Sequence, residues 1–134
     1  MGQFPITPTR EKVLAKYPDY AVTMTLAEKP ISIFFGDIEV AASTQALVVK
    51  ESMHKDVYYL PRQDVNLSLF TSTDHSTYCP FKGHASYWTL DSKTPDDDQT
   101  GENIVWSYEK PYPEVAELKD YLSFYVDRTR LAIQ

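Results

Sequence analysis

The stretch Thr77-Tyr78-Cys79-Pro80-Phe81-Lys82-Gly83-His84-Ala85-Ser86-Tyr87-Trp88 decides how the rest of the chain is read. Pro80 fixes its own φ and biases Cys79 toward an extended backbone, while Gly83 permits angles that a residue with a β-carbon avoids. Beyond Gly83, the residues Ala85, Tyr87 and Thr89 alternate with Ser86, Trp88 and Leu90. This is the period-two pattern of a strand whose two faces differ. A constrained loop therefore feeds a strand, with Cys79 and Lys82 just ahead of it.

Outward on the C-terminal side, Asp91 to Gly101 holds four aspartates and a proline and reads as a solvated loop. Asp96, Asp97 and Asp98 are adjacent but lack the D-x-[DN]-x-[DN]-G spacing of a calcium loop, so no metal is expected. Ile104, Trp106 and Tyr108 form one face of a late strand. Val115, Leu118, Leu122 and Tyr125 recur at helical spacing, with Pro113, Glu114 and Glu117 suited to a first turn. They predict one C-terminal amphipathic helix packed on the sheet.

On the N-terminal side, Thr71 to Ser76 are short polar residues that favour turns. Pro61 ends a strand over Val57–Leu60 and places Arg62 and Asp64 at its exit, on an edge or rim. Ala46–Lys50 is another strand, separated from Val57–Leu60 by the polar turn His54-Lys55-Asp56. Ile31–Phe35 and Ile38–Ala41 flank a tight hairpin about Gly36. Two hairpins in series suggest a meander. Val22, Met24 and Leu26 alternate with Thr23 and Thr25 in a further strand. The expected fold is mainly β, in compact antiparallel sheets. Residues 1–20 read as a short N-terminal arm, with a helical turn over Arg10–Lys16, and 21–134 as a single domain.

At 134 residues the chain suits one domain with a real core. A formal charge of −6 and a pI near 4.9 argue against generalised binding to nucleic acid or anionic lipid. Cys79 is the single cysteine, so no internal disulfide forms, and a reducing compartment fits. Met1 to Arg10 lacks the apolar run of a secretory signal, and no stretch approaches the roughly 20 apolar residues that cross a bilayer. The expectation is a cytoplasmic protein without cofactor.

Three groups of residues are candidates for chemistry. A cation beside a thiol favours the thiolate, the form that nucleophilic work needs, which makes Cys79 a candidate catalytic residue; the alternative is a small buried hydrophobe. Neither His75 nor His84 lies at a spacing that predicts contact with it. Lys82 and Gly83 offer an ammonium and backbone N–H groups for an anion, to which Arg62 adds a bidentate fork and Asp64 an orienting carboxylate or a base. The alternative is that Arg62 pairs with Asp64 to brace a strand end. Tyr87, Trp88, Trp106 and Tyr108, with Thr77, are candidates to line a pocket for a flat ligand, although aromatics on alternating strands more often fill cores.

The T-x-C-P-x-K-G-x-A-x-Y-W pattern of residues 77–88 resembles the signature of the family called domain of unknown function four hundred and twenty-seven, often labelled nucleotidyltransferase-like. Arg62-Gln63-Asp64-Val65, Val105-Trp106-Ser107-Tyr108 and Pro111-Tyr112-Pro113-Glu114 resemble its further segments, so the likeness runs from about Ile31 to Tyr125. The resemblance implies an antiparallel fold similar to the β-tent group. The label finds no support in a G-x-x-x-x-G-K-[ST] loop or in a Gly-Ser followed by paired aspartates, both absent from the sequence. Two functions follow as expectations: binding of a small anionic or nucleotide-like molecule, or thiol-dependent chemistry at Cys79. Methionine sulfoxide reductases of the β-tent group also use a cysteine. This chain lacks their paired Cys-x-x-Cys zinc ligands and a second, resolving cysteine. A non-catalytic interaction domain is the third option, and a homodimer stays open.

Overall fold

The computed structural model describes residues 9–91 and 101–134; the aspartate triplet 96–98 and most of its loop lie outside the described residues, as do positions 1–8 of the arm. A short helix α1 (Arg10–Lys16) comes first, and the Thr9 hydroxyl caps it by accepting from the Lys12 N–H at 3.2 Å. Ten strands follow: β1 (Val22–Leu26), β2 (Ile31–Phe35), β3 (Ile38–Ser43), β4 (Leu47–Glu51), β5 (Val57–Pro61), β6 (Phe70–Cys79), β7 (Gly83–Leu90), β8 (Val105–Ser107), β9 (Tyr121–Phe124) and β10 (Arg130–Ile133). They form a seven-stranded sheet in the order β1-β4-β5-β9-β8-β7-β6 and a three-stranded sheet in the order β10-β2-β3. Every strand pair is antiparallel.

Strand alternation sends side chains of the large sheet to two different environments. Leu60, Trp88, Leu90, Val105, Leu122 and Phe124 pack against Ile31, Ile33, Phe35 and Val40 of the small sheet. The opposite face carries Leu47, Val49, Tyr59, Ala85 and Tyr87, covered by Tyr108, Val115 and Leu118. The hairpin about Gly36, with φ of 60°, joins β2 to β3 as the sequence predicts.

Four expectations need correction. The C-terminal amphipathic helix is absent. Pro113–Leu118 is a 3-10 segment broken at Val115 (φ −128°, ψ 34°), and the chain reverses at Asp120 (φ 66°) into β9. Leu122 faces the small sheet while Val115 and Leu118 face the other way, so their helical spacing straddles a reversal. β9 also lies between β5 and β8, where both its edges find backbone partners that a surface helix would not use. The hairpins β2–β3 and β4–β5 belong to different sheets, because β1 pairs with β4 and β2 with β10. A single meander therefore does not form. Thr71 to Ser76 is no turn but the irregular middle of β6, where the register shifts between Ser72 and Ser76. Ile104 packs with the inter-sheet core rather than sharing a face with Trp106.

Candidate functional site

The turn between β6 and β7 is tight. Cys79 pairs with Gly83, and the Lys82 N–H donates to the Cys79 carbonyl at 3.3 Å. Gly83 has φ of 112°, a backbone angle that favours glycine, and it lies close to the Lys110 carbonyl. The Lys82 amide is thus committed to closing the turn. Residues directly opposite in an antiparallel pair share a face. The pairs Thr77 with Ala85 and Cys79 with Gly83 therefore put Thr77, Cys79 and Tyr87 on the face away from the small sheet.

Lys82 is 6% exposed, and its ammonium forms an ion pair with Glu51. Glu51 ends β4 two residues beyond Val49 and so shares its face. The Lys82 Nζ also lies 3.8 Å from Cys79 Sγ. The Tyr20 hydroxyl donates to the second Glu51 oxygen, and His54 Nε2 stands 3.7 Å from that oxygen. Burial pushes the Glu51 carboxyl up, but hydrogen bonds from Lys82 and Tyr20, with the Lys82 charge, outweigh it and hold the group below its ordinary range. Burial first, then the bond to Glu51, pushes the Tyr20 phenol well above its ordinary value.

Rings continue from this polar cluster along the same face. The Trp106 indole N–H donates to the Tyr59 hydroxyl at 3.2 Å. Tyr125 lies 4.7 Å from Trp106 between ring centres. The Tyr87 hydroxyl bonds with Thr77 Oγ1 at 2.9 Å and with the Tyr125 hydroxyl at 3.2 Å. Tyr108 packs 6.5 Å from Tyr59. Burial raises the phenols of Tyr59 and Tyr108 strongly and that of Tyr125 to about 12. Tyr59 and Tyr108 are buried, while Trp106, Tyr125 and Cys79 are half-buried. The arrangement joins an apolar, ring-lined surface to one buried donor–acceptor pair and one thiol.

Of the residues singled out in the sequence, the structure gathers Thr77, Cys79, Lys82, Gly83, Tyr87, Trp106 and Tyr108 on this side. Trp88 faces the inter-sheet core, and the Arg62 guanidinium sits 5.5 Å above its ring. Asp64 accepts from Ser43 Oγ at 2.6 Å, bracing β3. Arg62 and Asp64 thus serve the other side of the sheet, and Arg62 does not converge with Lys82 on a shared anion. Nor does Arg62 brace the strand end through Asp64, since among the described residues no ion pair joins them. Sequence reasoning missed Glu51, Tyr20, Tyr59 and Tyr125. Two of these were accessible to it: Glu51 continues the parity of Leu47 and Val49, and Tyr59 alternates with Leu60.

Fold and site together define an antiparallel β domain with a charged pair and a thiol beside an aromatic cluster. The family described as Domain of unknown function (DUF427) matches residues 23–134, and the chain belongs to it. The nucleotidyltransferase-like label is that family's name and not a demonstrated activity. No match was found among curated proteins. Among the described residues, no helix is long and apolar enough to cross a membrane.

Proposed function

We propose that this domain binds a small molecule carrying a flat, nucleotide-like ring, held on the tyrosine-rich face with its polar edge toward Lys82 and Glu51. The observation that carries the reading is Trp106: it is half-buried, braced by Tyr59 and Tyr125, and set on the same sheet face as the buried Lys82–Glu51 pair. Aromatic side chains of this kind stack on heteroaromatic rings at about 1–3 kcal/mol per base. The ammonium is already neutralised by Glu51, so the pair presents hydrogen-bonding groups to a ring edge rather than a bare cation to a phosphate. The phosphate half of an anion-binding expectation thereby loses its support, and the ring half gains it. A reducing, cytoplasmic setting belongs to the same reading, supported by the single cysteine.

The test uses a Trp88→Phe protein, in which Trp106 is the only fluorophore of its type. Nucleosides and their monophosphates are titrated against it. The expected result is quenching by at least one nucleoside, with its monophosphate binding no more tightly, and about tenfold weaker binding in Tyr125→Ala. Quenching by phosphate-bearing ligands alone, or by none of the set, would overturn the reading.

The 3.8 Å approach of Cys79 Sγ to Lys82 Nζ supports a second reading, in which the bound molecule reacts at the thiol. Cys79→Ser separates the two: binding persists in both, whereas turnover of any ligand is lost only in the second.

A further inference from the structure

We infer that residues 9–20, which precede the family-matched domain, form a strap across the Cys79–Lys82–Glu51 cluster, and that Tyr20 is its latch and the positioning residue for Glu51. The strap is held at its ends. Tyr20 stacks on Phe81 at 4.6 Å with 19° between planes, and its hydroxyl donates to Glu51. Arg10 lies 5.1 Å from the centre of the same Phe81 ring and 3.9 Å from Glu114. Phe81 is 3% exposed and sits between Cys79 and Lys82 in the turn, so the strap grips the loop that carries both. Just beyond the latch, the Ala21 N–H donates to Ser52 Oγ at 2.9 Å and the Ser52 N–H to the Ala21 carbonyl at 3.0 Å. These bonds fix the hinge from which the strap leaves β1.

Between those anchors the strap is lightly held. No residue of α1 is fully buried, and Val13 and Leu14 are half-buried, so the grip on the Phe81 ring is the main apolar contact that release must break. Tyr20 borders a cleft of about 310 Å³ that also takes in Lys16, Asp19, Met53 and Ser52, the residue that follows Glu51 in the chain. Release of the Tyr20 hydroxyl exposes the second Glu51 oxygen to that cleft and frees one acceptor of the charged pair. The strap therefore controls access from the cleft side to the pair and the thiol beside it. This inference shares its site with the ring-binding reading but needs no ligand for its test.

The experiment measures the rate of Cys79 alkylation by iodoacetamide against pH in the full chain, for wild type, Tyr20→Phe and Arg10→Ala. Tyr20→Phe keeps the stacking and removes the latch. It is expected to raise the rate about tenfold, as loss of one hydrogen bond to a charged group shifts an opening equilibrium. Without that donor the Glu51 carboxyl rises, so the acid limb of its own titration, followed by NMR of the carboxyl carbon, moves to higher pH, which a merely structural role for Tyr20 would not produce. Arg10→Ala is expected to raise the rate by a smaller factor with no shift of that limb. Rates and limb equal to wild type in both variants would overturn the strap. If Tyr20→Phe does not fold, an unchanged rate in Arg10→Ala overturns it alone. Ring binding is read separately by Trp106 fluorescence, so quenching that persists with unchanged alkylation removes the strap only, and faster alkylation without quenching removes the ring reading only.

Discussion

The two faces of the seven-stranded sheet are built from different materials. Against the small sheet lie Leu60, Val105 and Leu122, each 0% exposed, with Ile31, Ile33 and Phe35, and this face needs no charge to fill it. The other face carries tyrosines, a half-buried tryptophan, a thiol and an ammonium paired with a carboxylate. Aliphatic burial stabilises in proportion to area removed from water. A buried ion pair is a poor stabiliser, because removing two charges from water costs nearly what their attraction returns. The first face is explained by burial alone, whereas the second, beside its own buried Val49, Val115 and Leu118, keeps groups whose presence stability alone does not explain.

That contrast has graded consequences. Leu122→Ala on the aliphatic face is expected to lower unfolding free energy by about 3–5 kcal/mol, measured by urea denaturation, without altering Trp106 quenching. Lys82→Met on the aromatic face leaves Glu51 without its cation and is expected to cost about 3 kcal/mol, at the low end for a broken buried pair because Glu51 is 13% exposed. The double variant Lys82→Met with Glu51→Leu is expected to recover most of that loss while abolishing ring binding. If the double variant stays as unstable as the single one, the pair belongs to the scaffold and the contrast between faces collapses.

Acidification sharpens the same point. The Glu51 carboxyl lies below its ordinary value of 4.5 in the folded protein, so its contribution to stability is complete above about 4.5 and is lost as pH falls through the folded value. Lys82→Met should flatten this acid limb in a series of denaturation curves. The raised phenols of Tyr59 and Tyr108 act with the opposite sign: their contribution is full below pH 10 and declines as pH climbs toward their folded values. Smaller effects complete the series. Tyr87→Phe removes the bonds to Thr77 and Tyr125 and is expected to cost about 1 kcal/mol. Arg62→Ala removes a cation above Trp88 and is expected to cost about 0.5–1 kcal/mol with no change in ring binding. A loss of binding in Arg62→Ala would return that residue to the site.

Local patterns reached the fold where side-chain parity and turn chemistry agreed. The alternation after Gly83 and the Gly36 hairpin were legible because each needs only neighbouring residues. The register of β9 was not, since Val115, Leu118 and Leu122 share a helical period whether or not the chain reverses at Asp120. Assignment of strands to two sheets was equally hidden: nothing in Val22–Leu26 says that its partner is β4 across the intervening β2–β3 hairpin. At the site, Cys79, Lys82 and the rings were legible from one compact motif. Glu51 and Tyr20 are each 31 residues from their partners Lys82 and Glu51, and only tertiary pairing unites them. Arg62 and Trp88 read as site residues by type, yet parity sends Trp88 to the aliphatic side, and Arg62 follows it there.

The aromatic face as a binding surface meets its most direct test in ligand protection of Cys79. Iodoacetamide alkylation is followed in the presence of the nucleoside that quenches Trp106. The account predicts that alkylation slows as the ligand saturates, with the same concentration dependence as the quenching. An alkylation rate unchanged at saturating nucleoside would place any bound ring away from the thiol and contradict it.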